Sequence, residues 1–309
     1  MSTSRTLVWR NALVAAGYFT AGLPGLVFAI PQVQASAIWP PSGVALAAVM
    51  LYGSPVAPGI LVGALAANFW EASQAHGPAH PLLTLLVALG IACGSTLQAL
   101  FTRRLLPVGD AWQQFLDSGR SALRFVLLVW PIGCVISATF GMAVLHAAHR
   151  PPIGGFTVGW LTWWLGDVVG VLLVTPFAFI RRFRRPQWTF GRQIEAVAII
   201  LALTVASSLL FHGLLLPGGV RMPVTTLLIP PMLWMVHRFG LNGAVWANLF
   251  TVVITTWGTA ADMGPFSGYG VETGLMLLNI FLLSFQAVAL ISAATTDETY
   301  QARDLLAVA

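Results

Sequence analysis

One of the chain's ten acidic residues, Asp167, stands in the middle of the apolar run WLTWWLGDVVGVLLVTP at residues 160–176. In the core of a bilayer a carboxylate costs about 2.5–3.5 kcal/mol even on an insertion scale, so such groups face protein or water and mark ligand, ion or proton sites. At helical spacing Asp167 shares its face with Trp160, Trp163, Trp164, Gly170, Val171 and Val174, which puts indoles on one side and a glycine on the other. Thr162, Leu165, Val169 and Leu172 fall on the opposite face. Gly166 and Gly170, four apart, let a second helix come close. That face is expected to point into protein. Two chemistries suit it: response to a ligand or a proton, or a hydrogen bond from helix to helix.

Other polar or small residues form a second tier. In PGILVGALAANFWEA, Gly59, Gly63 and Ala67 make a small-residue seam, followed by Asn68 and Glu71; this segment is the expected packing partner of the Asp167 face. Trp39, just before Pro40 and Pro41, is expected at the membrane interface, where indoles anchor, and is also a candidate for sensing. Asn279 and Gln286 lie seven apart on one helical face and suit tying a last helix to the bundle or carrying a signal out along it. Glu195 is expected to pair with Arg192, three residues earlier. His146 and His149 have the spacing of a metal pair but lack a third ligand, so no metal is expected. Cys93 and Cys134 fall inside apolar runs and form no CxxC pair, which indicates neither a disulfide framework nor a zinc site. The chain holds no GxxxxGK[ST], HExxH or GxSxG, so no catalytic constellation and no cofactor are expected.

The elements that must position these residues follow from composition. The chain is 57% hydrophobic and 8% charged, with a mean hydropathy of +0.82, far from the roughly 25% charge of a soluble domain. Successive apolar segments of about 20 residues indicate an all-α, polytopic integral membrane bundle. Continuous rather than alternating apolarity argues against a β-barrel. About ten transmembrane helices are expected at residues 12–30, 37–53, 56–73, 82–104, 121–146, 157–180, 192–213, 223–238, 240–258 and 272–295. The 15 basic residues are all Arg. With both termini cytoplasmic, thirteen fall on that side and only Arg150 and Arg221 on the other, the bias that orients membrane proteins. The basic residues make no single face, so nucleic acid is not an expected partner. RRFRRP at residues 181–186 reads as a topology anchor, or more sharply as a site for anionic headgroups. In GDAWQQFLDSGR, Trp112, Phe115 and Leu116 share a face, as a short interfacial helix would. The first 37 residues imitate a cleavable signal, but their apolar run is long and holds Pro24, so a retained first helix is expected.

A weak internal echo relates IWPPSGVALAAVMLYG, from Ile38, to LIPPMLWMVHRFG, from Leu228. Each opens on Pro-Pro, runs apolar to a Gly, and precedes a small-residue segment holding Asn68 or Asn248. That would be a parallel repeat of two helices.

Several motifs together carry a family resemblance. WPPSGVALA at Trp39–Ala47, GILVGALAANF at Gly59–Phe69, WWLGDVVGVLLVTP at Trp163–Pro176, RFGLNGA at Arg238–Ala244 and GTAADMGPF at Gly258–Phe266 resemble the bacterial membrane-associated sensor domain of type 1 (MASE type 1). The resemblance covers almost the whole chain, and Trp39, Pro40, Gly43, Asn68, Trp164, Gly166, Asp167, Gly170 and Pro176 match its recurrent motifs. It implies a multi-pass module of the bacterial cytoplasmic (inner) membrane, without enzymatic activity of its own. Such a module passes a stimulus through its last helix to a histidine kinase or diguanylate cyclase. It implies no particular ligand. Residues 1–292 are then the sensor and 293–309 a short cytoplasmic linker-like tail, leading to an output domain lost from the C-terminus or supplied in trans. Expected partners are the lipid bilayer, that signalling protein, an unidentified small-molecule stimulus and a second copy of the chain as a homodimer. A secondary transporter using a midplane carboxylate and a non-sensing scaffold are the competing readings.

Overall fold

The computed structural model describes residues 3–27, 29–30, 35–36, 38–76, 80–106, 115–150, 155–180, 189–212, 223–266 and 269–308. Those residues form ten α-helices: α1 Thr3–Val27, α2 Pro40–Tyr52, α3 Ala57–His76, α4 Pro81–Leu105, α5 Gly119–Leu128, α6 Val135–Ala147, α7 Gly155–Ala178, α8 Phe190–Phe211, α9 Ile229–Ala260 and α10 Val271–Val308. The one departure from helix and turn among them is a two-residue antiparallel pairing of Ala29–Ile30 with Ala35–Ser36. Among the described residues, five segments are long and apolar enough to cross a membrane: α4, α7, α8, Thr225–Ala260 and Thr273–Arg303. The Arg181–Pro186 cluster and Trp112 lie outside the described residues. Phe115 and Leu116 are buried in a turn before α5 rather than set on an interfacial helix.

Local chemistry explains the helix ends. Prolines open α2, α4 and α9, where a missing N–H leaves no bond unmade. Arg103 and Arg104 occupy the last turn of α4, facing its negative dipole end. Thr189 caps α8, its hydroxyl accepting the Arg192 N–H at 3.4 Å.

Four expected spans take a different form. The segment at 37–53 gives an α2 of only 13 residues, short of the roughly 20 needed to cross a bilayer. The segment at 121–146 is interrupted by a π-helical turn at Val129–Gly133, where Pro131 withholds an N–H from the helical ladder. The segments at 223–238 and 240–258 are joined through Gly240, with φ 56° and ψ −141°, a conformation open essentially only to glycine. A Cβ on Gly243 would strike the Met235 carbonyl, so the chain doubles back and α9 is two packed arms. Finally, α10 runs on past the expected sensor boundary without a break, and Ala293, Ala294 and Asp297 are buried.

The chain divides into two compact units, Met1–Leu106 with Leu127–Thr175, and Pro107–Val126 with Pro176–Ala309. In the first, Tyr18, Val49, Ile60, Ala64, Ala92 and Ala99 form a core from α1 to α4. Small residues let these backbones approach, the usual basis of helix association where lipid removes the hydrophobic drive. In the second, Phe211 lies 5.6 Å from Phe266 and 5.9 Å from Phe281, ring to ring. Phe115 packs on Phe125 and Phe179 at 5.0 and 5.2 Å.

Candidate functional site

The middle of α7 is buried on every side, from Leu165 to Leu173, so both the Asp167 face and the one opposite it meet protein. At about 1.5 Å per residue, Asp167 lies roughly 18 Å from the Gly155 end of the helix. It is 1% exposed. The polar side chains closest to its carboxyl group are those of Ser137, Gln98 and Ser42, from α6, α4 and α2. Neither carboxyl oxygen closes a hydrogen bond of acceptable geometry. Tyr18 of α1 and the Cys134 thiol stand within electrostatic reach of it.

Backbone contacts fix this arrangement. Gly170 lies so close to the Trp39 carbonyl that a Cβ there would collide with it, and a Cβ on Gly43 would meet the Gly170 carbonyl. Only glycines allow α2 and α7 to touch in this way. The Trp39 N–H then donates to the Gly166 carbonyl at 3.1 Å. The Ser42 hydroxyl lies 2.9 Å from the Asp167 carbonyl oxygen and 2.7 Å from that of Trp39. Two turns on along α7, the Thr175 hydroxyl donates to the Gly43 carbonyl at 3.3 Å. On the other flank the Ser137 N–H, just past the π-helical turn, donates to Gln98 Oε1 at 3.3 Å. The Trp163 indole donates to Ser137 Oγ at 3.2 Å, and its ring covers Gly141. Helix interruptions of this kind free backbone groups and recur at functional sites.

Of the residues singled out in sequence, Asp167, Trp163, Trp39, Gly166 and Gly170 come together. Trp39 is half-buried beside the middle of α7, because short α2 begins there, and its indole reaches the Tyr18 hydroxyl at 3.4 Å. Trp164 is half-buried and stacks on Trp160 at 5.5 Å. Asn68 does not join the cluster: its amide donates to the Ala64 carbonyl of its own helix at 2.8 Å. The seam of Gly59 and Gly63 packs on Asn11, Ala15 and Tyr18 of α1, not on α7; the helices that meet Asp167 are α2, α4 and α6. Asn279 and Gln286 are buried on α10 in the second unit. Glu195 pairs with Arg238, at 2.7 and 2.8 Å, rather than with Arg192, because the first arm of α9 brings Arg238 alongside α8. Sequence reasoning missed Ser42, Gln98, Ser137 and Tyr18. Gln98, an amide inside an apolar run, carried a signal; the two serines did not.

Chemically the cluster offers a buried acceptor, three neighbouring donors and indole faces. That suits a proton, or a small molecule with hydrogen-bond donors or positive charge, which indoles also attract. Among the described residues no group of three His, Cys, Asp or Glu could hold a metal. The MASE1 family model matches residues 10–299. No curated protein and no solved structure matches the chain.

Proposed function

We propose, from the premise that this chain belongs to the MASE1 family of membrane-associated sensor domains, that the Asp167 cluster is where its stimulus is read. The observation that carries the reading is a buried carboxyl group whose two oxygens lack partners although hydroxyl and amide groups of three helices stand beside it. An unmade hydrogen bond at a buried group is expensive, so a donor-bearing or cationic small molecule, or a proton, gains free energy there. It shifts the balance between two arrangements only if it favours one of them. Asp167 sits on α7, whose last turn from Pro176 belongs to the second unit, and α10 carries the response to a cytoplasmic histidine kinase or diguanylate cyclase, fused or in trans.

Ten membrane segments, the short α2 among them, and both chain ends in the cytoplasm belong to this proposal. The thirteen-to-two partition of Arg supports them, as does the reversal at Gly240. The test is a fusion of a diguanylate cyclase domain after α10, expressed in a bacterial inner membrane and read as cyclic di-GMP. Asp167→Asn should keep the fold and fix the output at one level across growth conditions. Output that follows wild type in every condition, with the variant folded, ends the reading.

A further inference from the structure

The second unit holds buried polar groups that no charge accounts for. Asn248, Thr251 and Thr256 of α9, Asn279 and Gln286 of α10, and Ser207 of α8 are each more than nine-tenths buried. The hydroxyls of Ser207, Thr251 and Thr256 and the Asn248 Oδ1 lack a partner, and so do both polar atoms of Asn279 and of Gln286.

Helical spacing sets Asn279 and Gln286 on the face of α10 that carries Asp297, and Asn248 on the face of α9 that carries Leu241, so these groups form a column along the contact of the two helices. The Leu241 N–H donates to Asp297 Oδ2 at 3.1 Å, which sets α10 against the second arm of α9. From that bond, a rise of about 1.5 Å per residue puts Asn248 roughly 10 Å along, Thr251 and Gln286 both near 15 Å, and Asn279 near 27 Å. The orphaned groups therefore follow one another for about 17 Å beside packed helices.

Their chemistry selects an occupant. Asn279 and Gln286 each leave a donor and an acceptor unmade. A cation would satisfy only the oxygens and an anion only the amide nitrogens; a neutral molecule with both donors and acceptors satisfies all of them. We propose that this column binds small uncharged molecules that donate and accept hydrogen bonds, water being the smallest. A buried water normally makes about three such bonds to groups of this kind. Its residues are distinct from the Asp167 cluster, and either site can fail without the other.

Two measurements on the full chain in lipid nanodiscs test it. In pulsed hydroxyl-radical labelling with isotopic water, Phe281 and Phe285 should be modified several-fold faster than Phe115 and Phe125, buried rings of the same unit. Gln286→Leu or Asn279→Leu should remove the excess, and two single variants guard against one failing to fold. In parallel, acetamide should raise the melting temperature by a few degrees where acetate and tetramethylammonium do not, and Gln286→Leu should lose the shift. Labelling without an acetamide shift assigns the column to water; both effects assign it to an organic solute as well. Phe281 and Phe285 labelled no faster than the control rings, with no acetamide shift, overturn the proposal.

Discussion

Two buried carboxylates sit beside the same sequence device and are treated in opposite ways. In WPPSGVALAAVMLYG and in LIPPMLWMVHRFG a Pro-Pro pair opens a helix and a glycine at positive φ closes it, Gly53 at 77° and Gly240 at 56°. Each helix then turns back into a small-residue partner, one in each compact unit. In the first unit the start of the helix is fixed, through Trp39, Ser42 and Gly43 against α7, and Asp167 is left with neither oxygen bonded. In the second the end is fixed: Asp297 lies against Gly240 and accepts the Leu241 N–H. A carboxylate at a new helix start caps it and stabilises the fold. Asp297 does that; Asp167 does not. The contrast separates an acid kept for structure from one kept for response.

The largest expected effect tests the contact that holds Asp167 in place. Gly170→Ala puts a Cβ into the Trp39 carbonyl, and since backbone rather than a flexible side chain must yield, the cost should reach about 3 kcal/mol. Thermal unfolding in detergent measures it, and a loss under half that size would mean α2 and α7 separate easily. In the second unit, Gly240→Ala meets both the strained backbone region and the Asp297 carboxylate, for about 2 kcal/mol.

The sharpest test is a difference of sign. Asp297→Leu removes an acceptor from a buried N–H and should destabilise by about 1–2 kcal/mol, with Asp297→Asn recovering part of the loss. Asp167→Leu removes a buried group that closes no hydrogen bond of acceptable geometry, so it should be neutral or stabilising by about 1 kcal/mol, while abolishing the output of a cyclase fusion. Melting temperatures of the two Leu variants that fall together would erase the distinction drawn above.

How much of this the sequence disclosed depends on whether a feature is local. Asp167 stood out because a charge inside an apolar run has no local explanation, and Gly170 because small-residue spacing implies close approach whatever the partner. The partner itself is tertiary information. The Gly59–Gly63 seam is the partner that spacing leads one to expect, and only packing assigns it to α1. Ser42 and Ser137 were silent, since serines in membrane helices usually bond their own backbone. The contact of Trp39 with α7 was silent as well, because Pro-Pro marks where a helix starts but not what it packs against. The reversal at Gly240 was legible from RFGLNG, whereas the break at Pro131 was not, because a proline inside a continuous apolar run leaves its length and hydropathy unchanged.

The smallest effect refines the account of the second unit. Glu195 grips Arg238, two residues before Gly240, with both carboxylate oxygens near Nε, so it could be mistaken for part of the same latch. It is half in solvent, with side chains 23% and 46% exposed, and an exposed pair contributes well under 1 kcal/mol because water and side-chain entropy offset the attraction. Glu195→Gln should therefore lower stability by about 0.5 kcal/mol in dilute buffer, and by nothing measurable near 1 M salt, where screening acts within about 3 Å. The Asp297 bond is buried, so the cost of Asp297→Leu should persist at both salt levels. Equal salt sensitivity of the two variants would mean that the Gly240 turn is held by surface charge, and that the buried acid of the second unit is as free of structural duty as Asp167.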